Sequence, residues 1–244
     1  MEWLEEDAGI VTTGGSSGLW LHGIVYLSTG RGMSKDKQAR SGEFFILEPD
    51  IRRGGRGHGV VFANIDALLD PPRRILRPPG GGFPLLRQSP SMIHDPAVGD
   101  PPEDLEGGMS GYWLVSDRLK RVFECVDPEG FAFVECVYTL QDGSEGPRYF
   151  LCDVVRTLDA LDEAASTLRI EVSNDFVRGK YYNFAGGVSL SFRPEIVDGA
   201  HVFRTPYSGR YVICDRLLHH AVMTAGIGIE GSSGGVWFED AADY

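Results

Sequence analysis

Apolar and polar positions follow the same order in two nine-residue stretches of this chain. These are Gly111-Tyr112-Trp113-Leu114-Val115-Ser116-Asp117-Arg118-Leu119 and Gly209-Arg210-Tyr211-Val212-Ile213-Cys214-Asp215-Arg216-Leu217. In each, a short apolar run ends at a small residue and Asp-Arg opens a helical pattern, which predicts a strand running into a helix. Ser116 suits an N-cap and Asp117 the positive end of the helix dipole, with Leu119, Val122, Phe123 and Val126 on one face. Asp127-Pro128-Glu129-Gly130 ends that helix. The second helix, from Asp215, turns Leu218, Ala221, Val222 and Ala225 inward and places Gly226 at its C-cap. Strict alignment with the first copy would instead turn Leu217, His220, Ala221 and Thr224 inward, a rotation of one residue, about 100°. The copies therefore read as local analogues.

Elsewhere the pattern predicts strands at Glu43 to Glu48 and Val60 to Phe62, joined by the Gly-rich turn 54–59 as a hairpin or a sheet edge. The runs Phe131 to Leu140 and Arg148 to Val155 flank the turn-rich 141–147 and predict two antiparallel strands, apolar enough for burial on both faces. Leu158 to Ala165 predicts a short helix. Strands follow at Leu168 to Val172, Lys180 to Phe184, His201 to Arg204 and Tyr211 to Cys214, with a last one at Val236 to Phe238 after the turn 231–235. Between the first strands and Gly111, prolines at 71, 72, 78, 79 and 84 remove amide donors and predict an extended, polyproline-like, exposed segment. A second Pro-rich stretch, Ser89 to Pro102, runs into Glu103-Asp104-Leu105-Glu106-Gly107-Gly108.

These elements predict an α+β fold: a mixed, largely antiparallel sheet with a few short helices and an irregular Pro/Gly-rich N-terminal lobe. The expected division is a flexible N-terminal extension at 1–42, a Pro/Gly-rich lobe at 43–108 and a compact α+β part at 109–244. Met33 offers an alternative start to Met1.

Charge changes the picture more than size does. Asp and Glu number 35 against 23 Lys and Arg, a formal net charge of −12, which disfavours nucleic acid and anionic membrane and favours a basic partner. Glu2, Glu5, Glu6 and Asp7 stand where a secretory signal would carry Lys or Arg, so a cytoplasmic location is expected. Cys125, Cys136, Cys152 and Cys214 form no CxxC pair and read as buried thiols.

No group of residues reads as a catalytic centre. Gly54-Gly55-Arg56-Gly57-His58-Gly59 lacks the following helix that a phosphate-cradling loop requires. The six histidines form no HxxxH or HExxH pair, and His94-Asp95 has no GxSxG elbow to complete a triad. No metal or cofactor is expected. Arg73, Arg74 and Arg77 are expected to pair with carboxylates of the same chain. Three acidic patches remain as candidate contacts for a basic protein: Glu103, Asp104 and Glu106; Asp159, Asp162 and Glu163; Glu239, Asp240 and Asp243.

The succession Leu68-Leu69-Asp70-Pro71-Pro72-Arg73-Arg74-Ile75, then Gly82-Phe83-Pro84, then Tyr112 to Leu119 and Tyr149 to Leu161, with Ser166 after it, resembles a family of bacterial immunity proteins. That family, long known only as a domain of unknown function, belongs to polymorphic and contact-delivered toxin systems. The resemblance spans roughly residues 43 to 244. It implies a non-catalytic protein that binds the toxin encoded by a neighbouring gene and neutralises it in the cytoplasm by occluding its active site or locking it inactive. An acidic inhibitor would suit a basic nuclease. Two other readings stay open: an enzyme with the 70–100 region as lid and His94 as base, and an adaptor that binds a peptide along a sheet edge.

Overall fold

The computed structural model describes residues 25–27, 39–52, 57–229, 231 and 233–244. In chain order its elements are β1 (Val25–Leu27), β2 (Phe44–Pro49), β3 (Val60–Phe62), β4 (Ser91–His94), β5 (Leu105–Met109), β6 (Tyr112–Ser116), α1 (Asp117–Val126), β7 (Phe131–Thr139), β8 (Tyr149–Val154), β9 (Arg169–Val172), β10 (Lys180–Asn183), α2 (Pro194–Val197), β11 (Val202–Arg204), β12 (Val212–Asp215), α3 (Arg216–Thr224) and β13 (Val236–Asp240). Among the described residues the strands form three sheets, ordered β3-β4-β7-β8-β6-β5, β11-β12-β2-β13 and β1-β9-β10. Every pairing between these strands is antiparallel except that of β4 with β7. The fold is α+β with mixed, mostly antiparallel sheets and short helices, as the sequence predicts.

Alternation along β2 separates two cores. Phe45 and Leu47 face a core shared with α1, α3 and one face of the six-stranded sheet, while Phe44 and Ile46 face a second core closed by Ile170, Tyr182 and residues 184–200. The two strand–helix units meet in the first of these. Leu119 and Phe123 of α1 pack there with Leu218 and Val222 of α3. Capping explains the rotation between the two copies. The Ser116 hydroxyl accepts the Leu119 amide at 3.2 Å, whereas Cys214, the aligned residue, is a poor acceptor. Asp215 caps instead, accepting the Leu217 and Leu218 amides at 3.0 Å, so α3 begins one residue later. Counted from its own cap, each helix buries its third and seventh residues. Gly226, at φ +74°, closes α3: its amide bonds to Met223 O at 3.0 Å and the Ile227 amide to Val222 O at 3.2 Å.

The other face of the six-stranded sheet is covered by the Pro-rich segment. The segment is irregular and exposed at Pro71, Pro72 and Pro79, as its prolines predict, but Leu68 and Ile75 are fully buried against Tyr112, Leu114, Tyr149 and Leu151. One carboxylate fastens it. Asp153 of β8, with its side chain fully buried, accepts Arg77 Nε at 2.8 and 2.9 Å and the Gly82 amide at 2.7 Å, and Arg204 Nη2 of β11 lies 3.6 Å away. Phe83 stacks on Tyr112, ring centres 4.5 Å apart, and the Tyr112 hydroxyl donates to Gly82 O at 3.1 Å. Burial, with Asp153 nearby, pushes Tyr112 up to about 12. Gly81, at φ +80°, comes so close to Val155 that a Cβ there would sit 3.1 Å from that residue's backbone.

Several other expectations are corrected. Leu158 to Ala165 is not a helix: Thr157, Leu161 and Thr167 make bridges to Arg204, Phe192 and Ser189, and eight residues are too few to hold a helix against such pairing. Ser91 to His94, inside the second Pro-rich stretch, is a strand, because its prolines flank the ladder without entering it. β2 and β3 lie in different sheets and form no hairpin, although β3 is a sheet edge. β8 is buried throughout, but Val137, in the second half of β7, is 57% exposed, whereas α1 covers Phe131 and Phe133 in its first half. Cys125, on the outer side of α1, is exposed, while the other three cysteines are buried.

β5 runs continuously across position 108, and β2, β3 and β4 pair with strands from beyond residue 109 or with one another. Of the N-terminal extension, residues 25–27 form β1 on the edge of β9. Gly14 to Gly18, Gly30 to Lys37 with Met33, and Gly54 to Arg56 lie outside the described residues.

Asp153→Ala removes the shared partner of Arg77, Gly82 and Arg204, leaving the buried Arg204 and the partly buried Arg77 uncompensated. It is expected to lower stability in urea unfolding by about 3–5 kcal/mol, and more than Arg77→Ala, which leaves the carboxylate its Gly82 and Arg204 partners. A loss below about 1 kcal/mol would contradict this role.

Candidate functional site

Where the end of β2, the start of β5 and the edge of β13 come together, two adjoining cavities of about 1040 and 590 Å3, together termed the groove, share Asp50 and Glu103. The approach of these elements depends on glycines: a Cβ on Gly235 would lie 2.0 Å from Leu105 O, and one on Gly107 3.2 Å from the Pro49 ring. Among the described residues six carboxylates line the groove, those of Glu48, Asp50, Asp100, Glu103, Asp104 and Glu106, against the guanidiniums of Arg52 and Arg118. His58 and His219 are its imidazoles, and Trp237, Ile229 and Ile51 its apolar rim. Ile51 is 87% exposed.

Several of these charges are already engaged. Arg118 Nη2 pairs with Asp104 at 2.5 Å, and the Ser116 hydroxyl donates to the same carboxylate at 2.5 Å. Arg52 Nε lies 3.1 Å from Asp50, and its guanidinium stacks on the Trp237 ring. Burial raises the Asp50 carboxyl, but hydrogen bonds from Arg52 and Ser233 outweigh it and hold the group below its ordinary value. Glu48 goes the other way: burial and the charge of Glu239 raise it, against the weaker pull of Arg210 and Arg52. His219 stacks on Phe45 at 4.0 Å, and burial together with His220 lowers it. Like charges thus crowd the Glu48–Glu239 end of the groove.

The three acidic patches have different fates. Glu103, Asp104 and Glu106 enter the groove. Glu239 lies on β13 next to it, where Trp237 pairs directly with Glu48, while Asp240 turns back to cap Gly42 and Ala242 at 2.8 and 3.0 Å and Asp243 is exposed beyond the strand. Asp159, Asp162 and Glu163 line a separate cavity of about 340 Å3 with Lys180 and Arg193. There Glu163 pairs with Lys180 and accepts the Tyr182 hydroxyl at 2.6 Å, Asp159 lies 3.8 Å from Arg193, and Asp162 accepts the Ala164 and Ala165 amides. The sequence reading missed Glu48, Asp50, Asp100 and Trp237, because only the β2–β13 register and the crossing of β5 bring them together. Arg77 pairs within the chain as expected; Arg73 and Arg74 are exposed. His94 ends β4 with Nε2 3.2 Å from Gly99 O and lines neither cavity of the groove. Among the described residues no group of three or more His, Cys, Asp or Glu is placed to hold a metal ion, and no helix is long and apolar enough to cross a membrane.

A sequence model of the immunity protein family Imm11 matches residues 43–243. The chain belongs to that family. Membership gives it an immunity role and a cognate toxin as partner. No curated protein matches it. The Imm11 span includes the groove and the Asp153 anchor and leaves β1 outside.

The raised Glu48 carboxyl sets a pH test. A folded value above the unfolded one means that ionisation opposes folding above the unfolded value, near 4.5. Glu48→Gln is therefore expected to raise the thermal midpoint at pH 7.5, with the gain vanishing as pH falls below 4.5. Equal midpoints at both pH values would contradict the crowding.

Proposed function

We propose that this chain neutralises a toxin encoded by a neighbouring gene, in the cytoplasm, by stoichiometric binding that occludes the toxin's active site. Its target is a basic enzyme acting on nucleic acid or nucleotides, a nuclease above all. The match to Imm11 over residues 43–243 carries the reading. The net charge of −12 and the carboxylate-rich groove support a basic target, because an acidic inhibitor steers such a partner and competes with its phosphate-bearing substrate. Catalysis by the chain itself has no part in this mechanism.

Co-expression with the neighbouring gene product is expected to rescue cells from it and to yield a stable complex. Its affinity should be nanomolar or tighter and its interface about 1,600 Å2. Association is expected to slow as salt rises, as steering by opposite charge requires. Absence of both complex and rescue would exclude this pairing, and a salt-independent association rate would exclude the charge-steered part of it.

A further inference from the structure

β13 is the last strand of its sheet, and its hydrogen-bonding phase leaves groups facing outward. The Asp50 amide donates to Gly235 O at 2.8 Å and the Ala241 amide to Phe44 O at 3.0 Å. Antiparallel pairs alternate between bonded and non-bonded types, so Trp237 and Glu239 bond to β2, while Phe238, opposite Leu47, turns its amide and carbonyl away from the sheet. Among the described residues no partner takes either group of Phe238. Pro49, which has no amide to give, sits at another non-bonded position, opposite Val236.

The groove follows this edge. Trp237 and Phe238 are consecutive strand residues and point to opposite faces, yet both line the larger cavity, so that cavity lies along the edge of β13. Arg52 indicates what it accepts. Its guanidinium is held at once by the Asp50 carboxylate and the Trp237 ring, a seat that an arginine from another chain would find equally complementary. Further along, Glu48 and Glu239 repel each other, and an incoming cation would relieve them.

We propose that an extended segment of the toxin carrying Arg or Lys side chains adds as a strand to β13, bonding to the Phe238 backbone and placing its cations among Glu48, Glu106 and Glu239. This inference rests on the immunity reading and adds to it the surface and the mode of binding. Backbone pairing would supply an affinity insensitive to most side chains, and the carboxylates would select the basic segment.

Hydrogen exchange on the full chain, free and in complex with the neighbouring-gene toxin purified from co-expressing cells, tests it. The Phe238 amide is expected to exchange rapidly in the free chain and to be protected at least tenfold in the complex. The double variant Glu48→Lys/Glu106→Lys is expected to weaken binding 100-fold or more. Glu129→Lys/Glu145→Lys, an equal charge change at exposed sites outside the groove, should weaken it less than threefold. A complex that forms with unchanged exchange at Phe238, or that responds equally to both double variants, overturns the groove assignment and leaves the immunity reading intact. Failure to form any complex overturns both.

Discussion

The buried carboxylate of Asp153 is the point through which the layers of this protein are tied. It lies on β8, inside the six-stranded sheet, and its partners come from the Pro-rich segment before it and from β11 in the second sheet. Taking a carboxylate out of water costs several kcal/mol, and only a full set of donors offsets that cost. Arg77, Arg204 and the Gly82 amide provide the set. The consequence is positional: a segment whose prolines prevent it from joining a ladder is nevertheless held at one place on the sheet, where Leu68, Ile75 and Phe83 complete the core. Of the residues that carry the family resemblance, Leu68, Ile75, Gly82, Phe83, Tyr112 and Asp153 meet in this contact.

A second constraint lies between the sheets. β6–α1 and β12–α3 pack their helices into one shared core, and each helix presents its third and seventh residues after its cap. The shift of the cap from Ser116 to Asp215 moves the whole inner face by one residue. Side-chain chemistry at a single position thus decides whether Leu217 or Leu218 enters the core, and Leu217 is left 53% exposed.

Acidity is spread over the chain, but structure treats its carboxylates unequally. Asp159 and Glu163 lie beside their own cations, and Asp153 is consumed by the fold. Among the described residues the groove is different in that carboxylates outnumber guanidiniums along the edge of β13. Net charge suits a basic partner in general, and the proposed docking surface places that charge along one strand edge.

Local information was enough for the strand–helix units, their caps, the β7–β8 pair and most later strands, because periodicity, caps and turns act over a few residues. Composition fixed the charge, and the quoted apolar and turn patterns were enough to suggest the family. The sequence misled where distant pairing outweighed local preference. Leu158 to Ala165 has helical composition, yet its neighbours draw it into bridges, and the prolines around Ser91 to His94 hide a strand that only β3 and β7 can stabilise. The groove was legible only at Glu103, Asp104 and Glu106. Its other walls come from residues about fifty positions earlier and well over a hundred later, joined by strand register and by glycines that let backbones meet. That convergence is a property of packing and was left to the tertiary structure.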